Sequence, residues 1–89
     1  MNHIIENYLQ NLKKEQIQEF AQKNGVYLSP TELEFTHQFV QKNGMEILKN
    51  PNHLNLERYK SNYTEENYMK IQKLIPMYFQ KYQHLLKNL

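Results

Sequence analysis

The chain has 89 residues and a mass of 10.9 kDa, with a formal charge of +2 from ten Lys, one Arg and nine Glu, which is room for one hydrophobic core and not two. It contains no Cys, which excludes a disulfide framework, a thiolate metal site and a cysteine nucleophile. It also contains no Asp and only two Gly, at positions 25 and 44, which removes the usual acid of EF-hand loops and Ser-His-Asp triads and the clustered glycines of phosphate-binding loops.

Leu, Ile, Val and Phe make up 23 of the 89 residues, above the level of about one-fifth below which chains stay disordered. A single folded domain over residues 1–89 is expected, with a thin core and a very polar surface, since the mean hydropathy is −0.88. The start, Met-Asn-His-Ile-Ile-Glu, lacks the basic stretch and apolar run of a signal peptide. The longest apolar run, Leu74 to Phe79, is far short of the roughly 20 residues that cross a bilayer. A cytoplasmic protein with no membrane partner is the expectation.

The first segment carries Ile4, Ile5, Tyr8, Leu9 and Leu12 as one helical stripe. The second places Ile17, Phe20 and Ala21 on one face and ends at Asn24-Gly25, where Gly accepts the left-handed conformation of a helix C-terminus. Val26-Tyr27-Leu28 reads as a short extended bridge. Ser29-Pro30-Thr31-Glu32 is the sharpest local signal: a Ser cap, Pro at the first helical position and Glu three residues after the cap. The helix it opens is expected to run to about Asn43, with Leu33, His37 and Val40 on one stripe, Phe35 and Phe39 beside it, and Gly44 closing it. Met45 to Asn50 then reads as a separate short helix stopped ahead of Pro51. Asn52 or Asn55 would cap another through Leu56 and Tyr59.

Thr64-Glu65-Glu66 opens the last helix with a hydroxyl cap and two acids at the positive end of its dipole. In it Tyr68, Ile71, Ile75, Tyr78, Tyr82, Leu85 and Leu89 alternate at spacings of three and four, as in an a/d seam, with Leu74, Phe79 and Leu86 widening the face. Pro76 removes one backbone hydrogen bond and crowds the carbonyl of Gln72, which predicts a kink without a break. The fold class is therefore all-α: a small bundle of about five helices with a long, Pro-kinked C-terminal helix as its spine.

Five constellations could carry chemistry. Phe20, Ala21, Gly25 and Val26 resemble a helix-turn-helix. The helix that would read DNA, however, offers Glu32, Glu34, Gln38 and Gln41 on its expected solvent face, and phosphates repel such a helix. The C-terminal segment has no acid after Glu66 and carries Lys70, Lys73, Lys81 and Lys87 among aromatic residues, a pattern that either binds nucleic acid or is an ordinary solvated face. Glu34-Phe35-Thr36-His37 has the Glu-x-x-His spacing of di-iron bundles but occurs once, where such a site needs it twice, so a hydrogen-bonded structural His is the simpler reading and no metal or other cofactor is expected. Arg58, the sole Arg, has the planar fork that grips a carboxylate or phosphate; a structural ion pair with a nearby Glu is the plainer role. Ser29 serves as a cap and Ser61 lacks a nucleophile elbow, so no catalytic residue is assigned.

Ile17-Gln18-Glu19-Phe20-Ala21, Asn24-Gly25-Val26-Tyr27-Leu28-Ser29-Pro30-Thr31-Glu32, Phe39-Val40, Gly44, Leu56-Glu57-Arg58 and Phe79-Gln80-Lys81-Tyr82 together resemble the YqfT-like small proteins of low-GC Gram-positive bacteria. That family has no assigned activity. The resemblance implies a small helical cytoplasmic protein and carries no catalytic residue with it. The functional expectation is a non-enzymatic accessory protein that offers helical surfaces to a protein partner, with part of the seam pairing with a second copy and Met69 and Met77 at its margins. The alternative is nucleic-acid binding through Lys70, Lys73, Lys81 and Lys87.

Overall fold

The helices begin and end where side chains can satisfy backbone groups. A computed structural model describes residues 3–50 and 54–86; Asn52, Lys87 and Leu89, and the side chains of Ile4, Tyr82, Leu85 and Leu86, lie outside the described residues. Helix α1 spans His3–Gln10, α2 Lys14–Lys23, α3 Pro30–Lys49 and α4 Glu65–Leu86, with a 3-10 helix at Glu57–Asn62. No strand occurs among the described residues, and the all-α class holds.

Helix α2 starts where the Gln16 side chain accepts the Lys13 amide at 2.8 Å. It ends in a Schellman motif: Gly25 has φ +78°, its amide reaches the Gln22 carbonyl, and the Val26 amide reaches the Ala21 carbonyl at 2.8 Å. Val26 and Ala21 are both buried, which adds the apolar contact this motif favours. The chain then passes through Val26–Ser29 without regular secondary structure, with Ser29 itself extended.

Helix α3 opens as its sequence requires. The Glu32 amide donates to Ser29 Oγ and the Ser29 amide to Glu32 Oε1, a reciprocal capping box with Pro30 at the first turn. Its far end differs from expectation. Gly44 does not close the helix; α3 continues through Met45 and Ile47 to Lys49, with Asn50 as its C-cap, so the separate short helix at 45–50 is absent. The stop ahead of Pro51 does hold.

The reason lies in packing. Gly44 is buried in mid-helix, and a Cβ built on it would stand 2.8 Å from both methyls of Leu9. The glycine is needed for the close approach of α1, not for a turn. One consequence is that α3, rather than the last helix, is the hub: it packs against α1, α2, the 3-10 helix and α4.

Between these elements lies one core. Leu9 from α1, Ile17 and Ala21 from α2, Leu33, Phe39, Val40 and Ile47 from α3, and Tyr68, Ile71, Leu74, Ile75 and Phe79 from α4 are all buried. Helix α4 runs without interruption through Pro76. The radius of gyration is 12.6 Å, against about 12 Å for a folded chain of this length.

Candidate functional site

Every candidate residue has to be judged by whether the fold already uses it. Glu34 and His37 are both used. Glu34 pairs with Lys14 at 2.9 Å, and His37 Nε2 donates to the Leu12 carbonyl at 2.5 Å. The carbonyl only accepts, so the proton is on Nε2. One turn further, the Gln41 amide donates to the Leu9 and Gln10 carbonyls at 3.1 and 3.2 Å. These side chains from α3 satisfy the C-terminal carbonyls of α1 and of the α1–α2 joint, groups that no helix can pair internally. Among the described residues no group of three or more His or Glu is close enough to hold a metal ion.

Glu32 departs most from its expected place. It does not face solvent but is 4 % exposed, and it joins the N-termini of two helices. Its Oε1 accepts from the Ser29 amide and from Asn67 Nδ2, both at 2.8 Å, and its Oε2 accepts from the Thr64 amide at 2.7 Å. Burial alone would raise its pKa. The Ser29 and Thr64 amides and the Asn67 side chain overcome that and hold it below the ordinary carboxylate range.

Asn67 also donates to the Tyr27 carbonyl at 3.0 Å. The Thr36 hydroxyl donates to the Glu32 carbonyl at 2.8 Å and therefore accepts from the Tyr63 hydroxyl at 2.6 Å. Burial pushes the Tyr63 phenol up to about 12. No buried side-chain nitrogen or oxygen among the described residues lacks a partner. The capping role of Glu32 is legible in Ser29-Pro30-Thr31-Glu32. Its second role, on α4, depends on a residue 32 positions away that no local pattern reports.

The basic residues of α4 are unequal. Lys70 donates to the Gly25 carbonyl at 3.2 Å and lies 3.7 Å from Glu66. Lys81 stands 5.8 Å from the centroid of the Phe20 ring. Phe20 in turn packs edge-on to Tyr78 at 5.1 Å, and the Tyr78 hydroxyl meets that of Tyr8 at 2.6 Å. Burial first, then the bond to Tyr8, drives the Tyr78 phenol upward. Lys73 is exposed. Lys87 lies outside the described residues.

The described part of the seam (Tyr68, Ile71, Ile75 and Tyr78) is packed into the chain's own core. On the other side of α4, Met69 and Met77 are 63 % and 45 % exposed, in a row with Lys73 at successive four-residue steps. Comparison of the chain with protein-family models, curated proteins and solved structures gives no match.

Arg58 occupies a different place, on the 3-10 helix beside the C-terminal half of α3, at the edge of a cleft of about 530 Å³. The ion pair with a Glu that the sequence suggested is absent among the described residues. No helix among the described residues is long and apolar enough to cross a membrane.

Proposed function

We propose that the chain is a small non-enzymatic interaction protein of the cytoplasm that presents the outer face of α4 to a protein partner. The exposed row Met69, Lys73 and Met77 supports this reading most directly. Unbranched, polarizable side chains on an exposed helix face adapt to an apolar groove, and a Lys between them selects a groove with an acidic rim. The polar groups with distinctive chemistry (Glu32, Thr36, Asn67, Tyr63 and His37) are engaged in holding helices together. The resemblance to the YqfT-like small proteins, a family of unknown function, fits a compact helical accessory protein.

The test is quantitative capture from a host extract by the wild-type chain and by a Met69→Glu/Met77→Glu variant whose helicity and thermal midpoint are unchanged. A protein retained by the wild type and lost by the variant supports the reading. Identical retention by both overturns it.

A further inference from the structure

The Arg58 cleft is separate from the outer face of α4 and combines four apolar or aromatic residues with charged and amide side chains. Its volume of about 530 Å³ falls within the range of small-molecule pockets, about 300–1,000 Å³. Its apolar lining is Phe39, Tyr59, Ile47 and Leu54: Phe39 and Tyr59 meet edge-to-face at 5.2 Å, and Phe35 packs on Tyr59 at 5.4 Å.

The rim carries charge of both signs. Arg58 and Lys49 supply cations and Glu46 an anion, and none of the three is ion-paired among the described residues. Two rim amides are half-used. Asn43 Nδ2 donates to the Phe39 carbonyl, leaving its oxygen to accept, and Asn55 Oδ1 accepts the Glu57 amide, leaving its NH₂ to donate. The C-terminus of α3, at Lys49, adds the negative end of a helix dipole within about one turn of Glu46.

A simple anion would meet Glu46 and that dipole, and a simple cation would meet Arg58. The arrangement suits a molecule that has both charges close together beside an apolar group. We infer that this cleft binds a free apolar α-amino acid, with its carboxylate on the Arg58 guanidinium, its ammonium toward Glu46, and its side chain over Phe39 and Tyr59.

The test is an amide-resolved NMR titration of the whole chain with three probes: L-phenylalanine, N-acetyl-L-phenylalanine, which lacks the ammonium, and L-phenylalanine amide, which lacks the carboxylate. The expected result is saturable shifts at Asn43, Ile47 and Tyr59 with phenylalanine, and at least about tenfold weaker binding of the other two, the cost of losing one charge-assisted contact. Arg58→Gln should weaken phenylalanine by about tenfold, and Arg58→Lys should not restore it, because Lys lacks the bidentate fork. Glu46→Gln should weaken phenylalanine and leave N-acetyl-phenylalanine unchanged.

Both positions are exposed, so the variants should keep the wild-type spectrum elsewhere. Absence of saturable shifts with phenylalanine, or equal binding of phenylalanine and its N-acetyl form, overturns the inference. Retained capture of a partner through α4 would leave that outcome unaffected.

Discussion

One carboxylate has the greatest leverage in this fold. Glu32 accepts from two backbone amides at two helix starts and from Asn67, within a buried setting. Replacing it with Gln keeps the shape but turns one acceptor oxygen into a donor that faces donors. Glu32→Gln should cost about 2–3 kcal/mol, the scale of hydrogen bonds to a charged group left unmade. The sign of the pH dependence follows from its lowered pKa. The folded state holds the ionised form more strongly than the unfolded state does, so its stabilisation is complete above the unfolded value of about 4.3 and is lost as pH falls through the folded value. Urea midpoints measured from neutral to acid pH should therefore drop in the wild type below about pH 4.3 and drop less in Glu32→Gln; equal slopes would sink the assignment. The capping half of this residue's work was legible in Ser29-Pro30-Thr31-Glu32. The half that reaches Thr64 was not, because a carboxylate on a first helical turn has the same local signature whether water or a second helix lies beyond it.

At the scale of the element, the two glycines follow Asn and yet do different things. After α2, Asn24-Gly25 is a true C-terminus, with positive φ and both Schellman bonds. In α3, Asn43-Gly44 is helix interior, and the determinant is Leu9 in another element. Local sequence carried the same signal twice, and only the tertiary partner separates them. Taken as a turn, Asn43-Gly44 shortens α3 and shifts the role of hub to α4; as helix interior it leaves that role with α3. The same limit applies to the 3-10 helix at Glu57–Asn62: Asn55 Oδ1 accepts the Glu57 amide, but the N-cap residue is Leu56, which makes no side-chain cap bond, and Tyr59 and Tyr63 pack on Phe35, a contact that no period reveals. A double-mutant cycle tests the account of Gly44. In the wild-type background Gly44→Ala should destabilise by about 1 kcal/mol, because overpacking against Leu9 exceeds the gain in helix propensity. In a Leu9→Ala background the clash is gone, and Gly44→Ala should stabilise by about 1 kcal/mol. No change of sign between the two backgrounds would show that α1 does not need the close approach.

For the whole molecule the question is what its surface meets. The seam on α4 suggested a second copy, yet Ile71 is fully buried and Ile75 and Phe79 nearly so, within one chain. The described part of that face, through Phe79, is spent on the core. Its described basic residues are also partly committed, Lys70 to Gly25 and Glu66 and Lys81 to Phe20. Among the described residues of α4, the methionine row with Lys73 faces outward, and the chain's net charge is only +2. These facts predict a monomer in sedimentation up to high micromolar concentration. They also predict how the two surface readings separate with salt. Contacts to phosphate through several Lys would weaken by orders of magnitude between about 50 and 200 mM salt, because counterions are released. Binding through an apolar row with one Lys at its middle should change by no more than about threefold over that range, since screening acts on a single charge pair. A partner retained through the higher salt, with no shift of a mixed RNA at the lower, is the expected pair of outcomes. A steep salt slope removed by Lys70→Gln, Lys73→Gln and Lys81→Gln would instead move the function to the basic side chains and away from Met69 and Met77.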